Sequence, residues 1–441
     1  MSIPFGFSPN PGDNNNDLAA MFENMGRMLR NAGKNTGSVD WQSARDSVKR
    51  TLKSDAAITE RDLQSMKIAT ELADLWLDSA TAFPQSVSDF NLLTKQQWID
   101  QTFESWKTIV EPVAEGISGA MTGLLPNGQE GQKIEIPEEF ISGLPDEVAA
   151  NLRETLASTD FAALAAPIMA MAKSMGATMY GAQFGEALGN MSNEVLSTTD
   201  IGIPLTDTQS SGYVSSNVNE FSKSLEIDES DVRIYIALRE RAHTRLFVNA
   251  PWLSSQILAA INAYAKGVRI DTTRIQDAIA GIDPGNPESI QSSITPDLFE
   301  PVLTDAQKQA HQRLEQLLAL IEGWVSCVVT QAISNRLSSS TALDEAFRRR
   351  RAAGGPAEKL FAGLIGLELR PKRMREATDM WSKLTELKGQ TDRDDIWQHP
   401  DLLPSLEDLA DVSGYLETQN VDLMSELKRI IETTEAPKED N

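Results

Sequence analysis

The chain has 441 residues, 41 % of them hydrophobic, and carries 64 acidic against 40 basic side chains for a net charge of −24. The length leaves room for two or three domains, and the apolar share is that of an ordinary globular protein, which excludes a disordered chain. The charge repels phosphate backbones and anionic lipid, so neither nucleic acid nor a membrane is expected as a partner.

Cys327 is the single cysteine. That excludes an internal disulfide framework and a Cys-rich zinc site, and it fits a reducing compartment. Its place in the apolar run WVSCVV predicts a buried structural thiol. The opening MSIPFGFSPNPGDNNND has neither a basic start nor an apolar core, so no secretory signal is expected. No apolar run is read as long enough to cross a bilayer, and the expected location is cytoplasmic.

In chain order, residues 1–38 are rich in Asn, Gly, Pro and Ser and read as a flexible segment with one short helical pattern, Leu18 to Leu29. Helical apolar spacing over 39–125 predicts a helical N-terminal region whose tryptophans serve as core aromatics. Residues 126–146, bounded by Pro126 and Pro145 and holding a strand-like KIEIP, read as a linker. A helical body over 147–420 and an acidic tail over 421–441 follow.

Within that body Gly176, Gly181, Gly185 and Gly189 recur at helical spacing and read as close-packing positions, not as a phosphate loop. TTDIGIPLTDTQSSGYV reads as a loop with one or two short strands. Helices are predicted over Asp231–Asn249, capped by Asp228 or Ser230 and stopping before Pro251, over Leu253–Lys266, and over Asp305–Arg336. The fold class is therefore mainly α, with at most a small sheet near Gly202 to Val214.

Two of these helices carry the chemistry. Glu240 and His243 stand three residues apart, so a helix puts them on one face of an amphipathic run whose apolar stripe also draws Arg239 inward. Glu322 is the single charge in LLALIEGWVSCVV. A carboxylate buried there requires a cation, either a metal or an arginine. Gly323 beside it permits close approach of another helix. The run Arg348 to Arg351 reads as a solvated helix end with salt bridges, and His311 and His399 as structural or solvent-facing.

The blocks YGAQFGEALGNMSNEVLSTTDIGIPL, VRIYIALRERAHTRLFVNAPWL, LLALIEGWV, ALDEAFRRRRAAGGPAEKLFAGLIGLELRPKRMREA and IWQHPDLLP, spread over residues 161–415, resemble the zincin-like hydrolases of actinobacteria, described as zinc-dependent metalloproteases. The resemblance implies a multi-helix zincin-like body. Members with a complete His-Glu-x-x-His helix and a downstream Glu imply a site in which a carboxylate activates zinc-bound water. Carried onto this chain, Glu240 takes the base position, His243 and Glu322 two of the metal-ligand positions, and Arg239 the remaining one. The sequence is most similar to a subgroup with Arg-Glu-x-x-His in that place.

A guanidinium has no lone pair to give a metal. The resemblance therefore implies a degenerate metal-dependent hydrolase, metallopeptidase-like, weakly active or inactive as a conventional protease, with zinc absent or at low occupancy. Two arrangements stay open. In one, Glu240, His243 and Glu322 hold a metal in a reorganised site. In the other, Arg239 replaces the metal, pairing bidentately with Glu322 while His243 bonds Glu240. The product is then a silent scaffold with a protein or peptide partner.

Overall fold

A computed structural model describes residues 37–85, 89–122, 161–206, 211–266, 304–352, 355–365 and 373–417. Residues 1–36, the expected linker with its KIEIP segment and the expected acidic tail lie outside the described residues. The helices are α1 (Trp41–Thr51), α2 (Glu60–Leu77), α3 (Lys95–Thr122), α4 (Phe161–Ser192), α5 (Ser215–Ser224), α6 (Glu229–Asn249), α7 (Trp252–Lys266), α8 (Asp305–Ile333), α9 (Ser340–Ala352), α10 (Pro356–Ile365) and α11 (Met374–Asp395). Two short strands, β1 (Phe90–Leu93) and β2 (Ser211–Val214), pair in parallel with Phe90 opposite Ser211 and Leu93 opposite Val214. The protein is mainly α with a small sheet. β2 falls where a strand is expected; β1 lies inside a stretch read as wholly helical.

The chain divides into two compact units. One draws on Met1–Asp46, Ala114–Gln183 and Arg269–Pro301. In it a Cβ on Gly181 of α4 would stand 2.3 Å from the Asp40 carbonyl oxygen, so only glycine lets this segment lie against the helix. Gly176, expected to serve the same purpose, faces open space.

The other unit comprises Ser47–Val113, Phe184–Val268 and Val302–Asn441. Its centre is α8, packed against α11, α7, α6 and α2. Thr304 begins α8 through a capping box with Gln307. The helix stops at Ile333, short of the expected Arg336, because Asn335 adopts the left-handed conformation (φ 61°) that ends helices. Gly323 does serve close approach: a Cβ there would lie 2.6 Å from the Ala377 Cβ of α11. Contrary to the expectation from sequence, α8 is long and apolar enough to cross a membrane. Since 78 % of its most apolar window is buried, it has the character of a core helix. Cys327 is buried and free, as expected.

Asp228 caps α6, its carboxylate accepting from the Ser230 backbone N–H at 2.7 Å. The expected amphipathic character of α6 does not hold. From Ile234 to Phe247 every residue is buried, so its polar side chains must be paired internally. The Arg241 guanidinium forks onto Asp74 of α2 at 2.9 and 2.7 Å, and Arg245 donates to Asp74 and to Asp78. These charge-assisted bonds clamp α6 to α2. On the far side of α8, Asp394 accepts from Trp324, Thr81 and Arg393, which fixes the end of α11. α6 also packs directly against α8.

Candidate functional site

Arg239 and His243 project from adjacent turns of α6 toward Glu322 on α8. Arg239 Nη2 donates to Glu322 Oε2 at 2.6 Å, and His243 Nε2 lies 3.2 Å from Glu322 Oε1. A third group arrives from α9, where Arg351 Nη1 stands 2.8 Å from the same Oε1. Glu322 is 1 % exposed, so the pairs form out of bulk water. Burial alone would raise its pKa; Arg351, then His243 and Arg239, outweigh that and hold the carboxyl well below its usual range.

The surroundings lock this cluster. Gly202, at φ +75°, brings the 196–205 loop so close that a Cβ would stand 2.9 Å from Glu322 Oε1. Arg350 clamps Asp200 of that loop with two bonds of 2.9 and 2.8 Å. The Asp200 carboxyl is also lowered: burial opposes this, and Arg350 overrides it. Phe347 lies under the Arg239 guanidinium at 5.5 Å, and its ring packs against Tyr235. Between loop and helices a void of about 10 Å³ remains, the lower limit for one water.

Glu240 belongs to a different environment. Its Oε1 accepts from the Thr198 hydroxyl at 2.5 Å and the Gly212 N–H at 3.3 Å. Its Oε2 accepts from the Thr199 N–H at 3.1 Å and from the Thr199 hydroxyl. With both oxygens saturated, the carboxylate ties α6 to the 196–202 loop and to β2.

Two details of the expected arrangement are therefore corrected. His243 does not bond Glu240; its Nδ1 faces the Arg239 carbonyl oxygen at 2.8 Å and its Nε2 faces Glu322. The hydroxyls of Thr198 and Thr199 satisfy Glu240 instead. Nor is the Arg239–Glu322 pair bidentate, because Arg351 and His243 share the second oxygen.

The arginine run is a further correction. Arg349 is exposed and pairs with Glu345, but Arg350 and Arg351 turn inward onto Asp200 and Glu322. A uniform run hides which members face inward. The one available signal is Phe347, four residues before Arg351 and thus on its face. His399 accepts from the Asp401 N–H in a short turn, and His311 lies against Tyr264; neither contacts the cluster.

A catalytic zinc normally keeps three protein ligands and one open position. Here both imidazole nitrogens face acceptors, and both Glu322 oxygens are taken by guanidinium or imidazole groups. Among the described residues no three His, Cys, Asp or Glu side chains are grouped to hold a metal. The donor set in this arrangement does not fit the ion.

Fold and site define a mainly helical protein built around a buried, arginine-rich charge cluster between two core helices. The chain matches the zincin-like metallopeptidase family over residues 39–416 and belongs to it. It also shares its fold with a crystal structure from Chloroflexus aurantiacus described as a "putative hydrolase with a novel fold". The TM-score is 0.54 at 16 % identity, covering 87 % of this chain and 99 % of that one. Among curated proteins, none matches the chain.

Proposed function

We propose that this zincin-family protein has exchanged the family's metal for guanidinium groups and acts by binding, not by conventional metallopeptidase chemistry. The observation that supports this reading is the occupation of Glu322: Arg239 at 2.6 Å, Arg351 at 2.8 Å and His243 at 3.2 Å leave no carboxylate oxygen for an ion. Saturation of Glu240 by four donors argues in the same direction, since a general base needs a free lone pair facing its water. The acidic composition and the buried thiol support a cytoplasmic setting.

A second reading keeps a metal-dependent hydrolase with a reorganised site. It is favoured by the 3.2 Å approach of His243 to Glu322, which brings two of the family's ligand positions together. In this reading both guanidiniums leave the carboxylate when the ion enters.

The two readings separate on metal content. Protein purified without chelator is analysed for zinc and iron, then assayed on casein and a mixed peptide library with and without 1,10-phenanthroline. Binding without hydrolysis gives metal far below one equivalent and no chelator-sensitive cleavage. A tightly held equivalent that disappears in His243→Ala and in Glu322→Gln would overturn it in favour of the hydrolase.

A further inference from the structure

Beside the buried cluster lies a second, larger concavity of about 300 Å³. That is at the lower end of the range for small-molecule sites, about 300 to 1,000 Å³. Four arginines from three helices line it: Arg239 of α6, Arg348 and Arg351 of α9, and Arg375 of α11. Such convergence is unexpected in a chain of net charge −24. Like charges gathered in a cleft raise one another's energy unless an anion offsets them.

The carboxylates near the pocket are mostly engaged elsewhere: Asp200 is clamped by Arg350, and Glu345 pairs with Arg349. Glu322, behind the wall, already serves Arg239 and Arg351 together. Of the two carboxylates on the wall, Asp344 accepts from the buried Tyr235 hydroxyl and Asp379 is exposed. Among the described residues neither Arg348 nor Arg375 makes an ion pair, and Arg348 bonds only the Asp344 carbonyl oxygen, at 3.3 Å. Within the lining itself four guanidiniums face two carboxylates, and the surplus at the rim falls on Arg348 and Arg375, which share the nearby Glu345 with its direct partner Arg349.

The lining also carries hydroxyls from α8 and α11. Ser326 and Thr330 on α8 stand one turn apart, as do Thr378 and Ser382 on α11. Phe347 supplies an apolar surface on the α9 side. From this juxtaposition we infer that the pocket binds a small phosphorylated polyol, its phosphate between Arg348 and Arg375 and its hydroxyls along the serine and threonine wall. A phosphate monoester suits the site better than a single carboxylate does. It carries a charge of about −1.5 to −2 and three acceptor oxygens, which matches donors arriving from separate directions. The inference deepens the binding-protein reading and rests on it.

The test is isothermal titration of the full chain with glucose 6-phosphate, inorganic phosphate, glucose and citrate, with metal content measured on the same preparation. Glucose 6-phosphate is expected to bind, inorganic phosphate to compete with it, and glucose and citrate to bind at least about tenfold more weakly. Arg348→Glu and Arg375→Glu, both exposed positions, are each expected to weaken glucose 6-phosphate by at least about tenfold with an unchanged unfolding midpoint. Absence of phosphate binding at millimolar concentration, a preference for citrate, or full binding by both variants overturns the inference. One equivalent of metal with intact phosphate binding overturns the silent-site reading alone.

Discussion

Arg351 of α9 meets Glu322 of α8 at 2.8 Å on the oxygen that also faces His243, so one carboxylate organises three helices. Both guanidiniums are largely out of water, and the other carboxylate that acts on them, Asp200, is already clamped by Arg350. Removing the acid leaves two largely buried cations without their direct carboxylate partner. Glu322→Ala is therefore expected to lower the unfolding free energy by about 3 to 5 kcal/mol, read from urea denaturation. Arg239→Ala alone should cost less, because Arg351 and His243 still serve the carboxylate. A double-mutant cycle between positions 239 and 322 is expected to give a coupling of about 1 kcal/mol or more. Additive losses would mean that the pair contributes nothing specific.

The same cluster sets an acid limit on stability. Glu322 titrates below its ordinary value of 4.5, and Asp200 below 3.8, when the chain is folded. A carboxyl whose folded pKa is depressed contributes its full stabilisation above the unfolded value and loses it as pH falls toward the folded one. Unfolding free energy is thus expected to fall progressively as pH drops below about 4.5, with proton uptake on unfolding. In Glu322→Gln the slope in that range should be shallower than in the parent protein. An identical slope would remove Glu322 from the acid transition.

Much of this cluster is readable before folding is known, for a definite reason. A lone charge in a largely apolar run of thirteen residues has few ways to be tolerated, so Glu322 demands a buried cation, and α6 offers Arg239. Helix ends are equally legible where caps are local, as at Asp228 and Thr304. What escapes is non-local or degenerate. Thr198, Thr199 and Gly212 reach Glu240 from a segment without periodicity, so the partner of that carboxylate is hidden. Phe90–Leu93 is too short to display alternation, and its pairing with Ser211–Val214 spans a distance in sequence that no turn signals. Arg350 and Arg351 look like their neighbours until α9 is seen to lie against the loop.

Glu240 supplies a prediction that separates tether from base. All four bonds to its oxygens come from donors, so an amide in its place turns one acceptor into a donor facing N–H or O–H groups. Glu240→Gln is expected to destabilise by about 1 to 3 kcal/mol despite its near-identical shape. Thr199→Val, which removes one donor hydroxyl, should share part of that loss and be non-additive with it. A Glu240→Gln protein of unchanged stability that had lost a chelator-sensitive hydrolysis would instead identify the carboxylate as a base.

Gly202 is where the loop over the cluster is most tightly constrained. Its φ of +75° suits glycine, and a methyl group there would press on Glu322 Oε1 from 2.9 Å, against an atom held by Arg351 and His243. Gly202→Ala therefore combines a left-handed backbone penalty of about 1 kcal/mol with displacement of either the loop or the carboxylate. If the loop yields, the Asp200–Arg350 clamp opens. Hydrogen exchange should then rise at Thr199 to Ile203 while α6 and α8 stay protected. If the carboxylate yields, protection is expected to fall around Glu322 first. Exchange unchanged in both places would show that the loop does not lie on the cluster in solution.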